Sequence, residues 1–201
     1  MKTKINTVLA LIGLFLFLNF SIKDEINKCY IAFTKTPGLT TMEPERLPAN
    51  TEKFRDLTTE TGEVKVSRID GYRIKYNNNK GVEFVNIKVE LSDAKSYGAD
   101  TTNIIENLKY LNSHSTNMES KDLVVLSFNG YKIYGLGRAS LEKGSTLGTF
   151  VIFPGNNTTV YFYFNNLKPE LRHYEDYSAY RDQRNGFLGN YTHYLKQCKD
   201  K

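Results

Sequence analysis

The sequence predicts an α+β domain: a mainly antiparallel sheet of about seven strands, with one inserted helix and C-terminal helices packed on it. Three observations carry the prediction. Short runs of alternating polarity are separated by Asp-Gly, Asn-Gly and Asn-rich turn signals, which is how antiparallel hairpins read. Around residue 104, and again after Asn165, the apolar spacing lengthens to three or four residues, the period of a helix. Ahead of this body, Thr36–Glu63 is polar and holds Pro37, Pro44 and Pro48, three of the chain's five prolines. Proline fixes φ and removes a backbone donor, so this stretch reads as an extended arm and not as a packed element.

The body opens with strands around Val64–Val66 and Tyr72–Tyr76, joined at Asp70-Gly71 by a predicted two-residue hairpin turn. A second turn at Asn77–Gly81 leads to the longest predicted strand, Val82–Leu91, with Val85, Ile87, Val89 and Leu91 on one face. Val82 and Phe84 have the opposite parity, which predicts a bulge near Phe84–Val85. A helix follows, with Asn103 and Glu106 as its capping pair and Ile104, Ile105, Leu108 and Leu111 as its apolar stripe. Strands resume at Leu123–Phe128, turn at Asn129-Gly130 into Tyr131–Leu136, and continue as Leu147–Phe153 and Val160–Phe164. Leu167, Leu171 and Tyr174 begin a helical pattern, and Gly186 and Gly189 predict a break between two C-terminal helices. One sheet face is then covered by the 103–113 helix and the C-terminal helices.

At the N-terminus, Lys2 and Lys4 precede the apolar run Val8–Phe20, the order of an export signal. The run is shorter than the roughly 20 apolar residues of a comfortable span. With no small-residue cleavage pattern near Phe20, an uncleaved anchor over residues 8–20 is the alternative. The organisation is therefore 1–20 signal peptide or anchor, 21–62 extended arm, and 63–201 a single α+β domain. Cys29 and Cys198 are the only cysteines. In an exported chain such a pair is expected to bond, and the closed loop would stabilise the fold by about 4–5 kcal/mol at most.

Loss of residues 1–20 lowers the formal charge from +5 to +3, with Lys and Arg scattered among acids. This excludes the concentrated basic stripe of a nucleic-acid binder. No G-x-S-x-G elbow, P-loop or metal-ligand spacing occurs, and His114, His173 and His193 lie far apart. Gly135-Leu136-Gly137 lacks the third glycine of a dinucleotide loop and follows a hairpin strand. No catalytic residue, cofactor or metal is therefore assigned. The one unusual local composition is C-terminal, where Tyr174, Tyr177, Tyr180, Tyr191 and Tyr194 interleave with Arg172, Arg181 and Arg184. Tyr and Arg are enriched where proteins bind partners. Tyr180, off the Leu171–Tyr174 stripe, and Arg181 beside it are the predicted exposed binding residues.

A strand ending in Asp93-Ala94-Lys95-Ser96-Tyr97, a helix with Asn107-Leu108-Lys109-Tyr110-Leu111, and hairpin strands around Gly130-Tyr131-Lys132-Ile133-Tyr134-Gly135 resemble the PsbP-like family of exported α+β domains over roughly residues 82–164. That resemblance implies a fold, in a family that includes non-catalytic accessory subunits and bacterial envelope proteins. The expected function is a secreted or periplasmic, non-catalytic binding or accessory protein, with a protein, glycan or lipid of the envelope as partner. The alternative is a small secreted, glycan-directed hydrolase with acidic residues assembled in space.

Overall fold

In the strand that runs from Glu83 to Ser92, Val85, Ile87, Val89 and Leu91 alternate with Asn86, Lys88, Glu90 and Ser92, so the strand has an apolar face and a polar face. The computed structural model describes residues 25–56, 62–142 and 144–199, and the predicted export segment lies outside them. The strands are β1 (Thr40–Thr41), β2 (Glu45–Leu47), β3 (Asn50–Asp56), β4 (Gly62–Asn77), β5 (Glu83–Ser92), β6 (Val124–Phe128), β7 (Tyr131–Gly137), β8 (Thr146–Gly155) and β9 (Thr158–Asn165). Helix α1 (Ala94–Ser113) is inserted after β5, and α2 (Tyr177–Lys199) closes the chain. All pairings are antiparallel, in the order β1-β4-β5-β9-β8-β7-β6, with β2 and β3 also on β4. The fold is α+β, as the sequence predicts. Among the described residues no helix is long and apolar enough to cross a membrane.

The two helices cover opposite faces of the sheet, which corrects the expectation that both lie on one. Phe162 and Phe164 of β9 meet Phe187 of α2, while their neighbours Tyr161 and Tyr163 face α1 residues Ile104 and Leu108 across a cleft. The α2 side is the aromatic core, where Phe33, Tyr76, Phe84, Phe150, Tyr180 and Tyr191 are buried with Phe162, Phe164 and Phe187.

Asp70-Gly71 makes no hairpin. Both residues belong to β4, a single strand of 16 residues with a register shift between Arg68 and Asp70. Asp70 Oδ1 accepts from its neighbour's N–H and from Arg46 Nε, each at 3.0 Å. A Cβ on Gly71 would stand 3.2 Å from Leu47 Cβ and 3.3 Å from Val89 O, so this glycine serves close strand approach rather than a turn. The bulge expected at Phe84–Val85 is present: Tyr76 pairs with Val85 and Asn77 with Glu83, and Phe84 and Val85 are both buried. Asn129-Gly130 is the expected primed turn, with φ of 52° and 89°.

The proline-rich stretch is extended and also paired. β1, β2 and β3 lie in turn along one edge of β4, with Pro44 and Pro48 in the gaps between them. Proline cannot donate to a ladder, so it is tolerated where an edge strand is interrupted. The residues before the stretch are core: Ile26, Cys29, Tyr30 and Phe33 are all buried.

Two helix expectations change. Asp93, whose side chain accepts from Lys95 N at 2.7 Å, caps α1, so the helix starts ten residues before the expected Asn103 cap. The C-terminal helix is one rod through Gly186 and Gly189, because packing on the sheet outweighs the cost of two glycines. Gly189 sits where the helix meets the sheet, with room for a Cβ in ordinary contact with Phe128 at 3.7 Å, and Asn129 Nδ2 donates to Gly189 O at 2.9 Å. Leu171 and Tyr174 precede α2, in and after a short turn at Pro169–Leu171.

Cys29 and Cys198 form the expected disulfide, with Cα atoms 5.9 Å apart and a sequence separation of 169. Paired Cys29→Ala and Cys198→Ala substitutions are expected to cost about 4 kcal/mol of stability, since the bond closes a very long loop in the unfolded chain. The midpoint of urea unfolding, compared with that of the wild type before and after reduction, measures the loss. Identical midpoints in all three samples would contradict it.

Candidate functional site

The helix face that α1 turns inward is polar: its buried residues are Asp100, Asn103, Leu108 and Asn112. Both ends are tied down. Asn112 Nδ2 donates to the carbonyls of Ser120 and Lys121, and Tyr97 Oη donates to Thr158 O at 3.0 Å. Asp100 reaches Arg68 and Ser92 on the sheet. Between these ties a cleft of about 280 Å³ separates the helix from β5, β8 and β9. Its floor is Lys88, Thr149, Val151, Tyr161 and Tyr163, and its wall is Asn103, Ile104, Asn107, Leu108 and Leu111. Of the apolar stripe expected on this helix only Leu108 is buried, and Leu111 is 47% exposed at the cleft.

One end of the cleft is a closed charge network. Arg68, 6% exposed, donates through Nε to Glu90 (2.8 Å), through Nη1 to Glu52 (2.6 Å) and through Nη2 to Asp100 (3.3 Å). The other carboxylate oxygens are also occupied: Glu90 by Lys88 at 2.7 Å, Asp100 by Ser92 Oγ at 3.0 Å and Glu52 by Asn50 Nδ2 at 2.9 Å. Burial works against the Arg68 charge, but Glu90 and Asp100 outweigh it and raise its pKa. Burial raises Asp100, with Arg68 pulling the other way. The cations also rest on rings, Arg68 on Phe54 (5.4 Å) and Lys88 on Tyr161 (5.2 Å). Burial first, then the nearby Glu90 charge, pushes the Tyr163 phenol up to about 12, and Tyr161 is raised likewise, so both stay protonated.

The neutral groups are less well served. Asn103 is 5% exposed, and its Oδ1 has no hydrogen-bond partner among the described residues. A buried acceptor left unpaired costs about 1–3 kcal/mol. It stands in the wall of the cleft.

A second groove, of about 410 Å³, lies on the opposite side of the sheet between residues 36–39, Phe84, His173 and α2. Asn78 is 2% exposed, and its Oδ1 accepts from Lys80 N and Val82 N. Its Nδ2 therefore donates, to Leu171 O at 2.8 Å and to His173 Nδ1 at 3.3 Å. This assigns the His173 proton to Nε2 and makes the ring neutral. Burial, then the Lys80 charge, lowers its pKa from 6.5.

The residues that the sequence singles out for binding do not form a surface. Tyr180 is fully buried, in contact with Phe84 and Phe164, which corrects its expected exposure. The physical reason is that α2 begins at Tyr177, so Tyr180 shares a face with Phe187 and Tyr191 and not with solvent. Arg181 is exposed. The arginine of this segment with a built environment is Arg184: it is 1% exposed, donates to both Glu119 oxygens (2.8 and 3.1 Å) and lies over Phe150. Two glycines make this possible. A Cβ on Gly135 would sit 2.2 Å from the Phe150 ring, and one on Gly137 would sit 2.0 Å from Glu119 Oε2. That is the role of the Gly135-Leu136-Gly137 pattern.

Sequence reasoning missed Arg68, Asn103, Tyr161 and Tyr163. The legible sign was Val160–Phe164, where both parities of one strand are apolar or aromatic, as in a strand covered on both faces. Among the described residues no group of three or more His, Cys, Asp or Glu could hold a metal ion. No protein-family model, curated protein or solved structure matches the chain.

Two outcomes follow from these environments. Asn103→Leu removes an unpaired buried acceptor at nearly constant volume and is expected to raise stability by about 1 kcal/mol in urea unfolding; a loss of that size would mean the amide is satisfied. For His173, the folded pKa is lowered, so the unfolded chain takes up the proton first as pH falls. Its contribution is complete above about pH 6.5 and is lost as pH drops through the folded value. His173→Gln should flatten that limb of a plot of unfolding midpoint against pH, and an unchanged limb would refute the assignment.

Proposed function

We propose that this chain is an exported, disulfide-braced, non-catalytic binding protein of the cell envelope or exterior, and that the α1 cleft receives its ligand. The observation that carries the reading is the contrast inside the cleft: every charged group that lines it is paired internally, while neutral amides and hydroxyls and the apolar wall around Leu111 remain to meet a ligand. A concave cleft with apolar surface beside a few neutral hydrogen-bonding side chains is what a small-molecule site offers. Export is supported by Lys2, Lys4 and the Val8–Phe20 run, and by a disulfide of the kind that persists in oxidising compartments. The strand, helix and hairpin order that resembles PsbP-like domains is in keeping with an accessory role.

A second reading, a small hydrolase acting on glycans, draws on the same cleft, because Glu52, Glu90 and Asp100 converge there and burial raises Asp100. A glycosidase needs one carboxylic acid free to protonate a leaving group and a second carboxylate facing it across the bond. Here all three sit on one guanidinium as charged acceptors, which favours binding.

Native mass spectrometry of protein recovered from its own envelope or medium tests the proposal. A small-molecule adduct is expected on the wild type. Asn107→Trp, an exposed residue changed to one that fills the cleft, should reduce it by about ten-fold or more, a factor worth about 1.4 kcal/mol, with an unchanged melting temperature. An adduct that survives the substitution places the site elsewhere. Release of sugar from a polysaccharide by the wild type, abolished in Asp100→Asn, would replace the binding reading with the hydrolase.

A further inference from the structure

We infer that the α1 cleft takes an uncharged saccharide, as a free glycan or as the headgroup of a glycolipid; this rests on the cleft being the binding site.

The electrostatics decide charge first. All three nitrogens of Arg68 are bound to carboxylates, and Lys88 is held by Glu90 and the Tyr161 ring. Among the described residues that line the cleft, an anionic ligand therefore finds no unpaired cation. The network at the end of the cleft itself holds three carboxylates against two cations. A cationic ligand finds its natural seats, the carboxylate oxygens and the ring faces of Phe54 and Tyr161, already occupied by Arg68 and Lys88. Displacing either would leave a buried charge unpaired, which is costly.

The groups that remain are neutral. Asn103 and Asn107 bring carboxamides to the cleft lining, and Thr149 and Tyr163 carry hydroxyls that both donate and accept. Leu108 and Leu111 supply apolar surface beside them. A sugar ring matches this division, with C–H faces for the apolar wall and hydroxyls around its rim for the amides. An extended peptide matches it less well. Peptide main chains bind at unpaired sheet edges, whereas this floor is the face of β5, β9 and β8, whose backbones are paired with one another. A simple acyl chain would bury the floor's hydroxyls without partners. The cleft's volume, about 280 Å³, is at the low end for ligand pockets, so it grips a terminal or single segment of a longer chain.

The test uses the disulfide-intact protein and isothermal titration. Probes are uncharged oligomers of glucose, galactose and N-acetylglucosamine, oligogalacturonate and oligoglucosamine as charged counterparts, dodecyltrimethylammonium as an amphiphile, and phosphatidylcholine vesicles with or without galactosyl diacylglycerol. At least one uncharged saccharide should bind with a Kd of about 1 mM or tighter. Asn103→Leu and Asn107→Trp should each weaken it by about ten-fold or more while unfolding stays cooperative, and the charged counterpart should bind at least about ten-fold more weakly. Binding to vesicles only when the glycolipid is present identifies a headgroup, and binding in solution alone identifies a free glycan; either supports the inference. A preferred charged oligomer, or no saccharide binding at all, overturns it. If the amphiphile binds and Asn107→Trp blocks it, the saccharide alone is refuted and the cleft reading stands. Saccharide binding that neither substitution changes refutes both.

Discussion

The segment Ile26–Phe33 is held against α2 by one covalent bond and one buried phenol and against β4 by a second phenol, and the aromatic core closes around it. Cys29 is bonded to Cys198, Tyr191 Oη donates to Tyr30 O at 2.8 Å, and Tyr76 Oη donates to Phe33 O at 2.8 Å. The Phe33 ring then lies 5.4–6.1 Å from the rings of Tyr76, Phe187, Tyr191 and Tyr194, in tilted and edge-to-face arrangements. Each such pair contributes about 0.5–1.5 kcal/mol beyond area burial. Without the disulfide, ordering an N-terminal segment far in sequence from α2 would have to be offset by these contacts alone. The same anchor sets where the chain enters the sheet, and so where β1, β2 and β3 run along β4.

The opposite face is built on a different principle. Glu52 on β3, Arg68 on β4, Glu90 on β5 and Asp100 on α1 join four elements through one guanidinium. Taking such charges out of water costs several kcal/mol per ion, and attraction inside the fold repays it only with good geometry. Apolar residues would make a stabler seam. What the network supplies instead is position: it fixes the N-terminal half of α1 over β5, while the Asn112 contacts fix its C-terminal end. The helix is therefore held by its ends, and the span between them stays open. A helix packed by a continuous apolar stripe would have collapsed onto Tyr161 and Tyr163 and left no cleft.

The chain alone determined whatever depends on neighbours in sequence. The period-two alternation of Val85–Leu91, the primed turn at Asn129-Gly130 and the parity change at Phe84 are set by local sterics and by which side of a strand is apolar, so they are legible without coordinates. The cysteine pair was legible too, because a chain with two cysteines has one internal pairing to make. Local signals misled wherever a distant partner supplied what the local one was expected to. Asp70-Gly71 carries a turn's residues, yet Leu47 and the β5 backbone press on it from both sides and hold it extended. Gly186 and Gly189 suggest a break, yet the sheet beneath α2 keeps the rod whole. Which face each helix covers, that Tyr180 points inward, and that Arg68 meets three carboxylates from three other elements were decided only by the tertiary structure. Those partners lie 16, 22 and 32 residues away. Their meeting depends on strand register and helix placement, which no local pattern encodes.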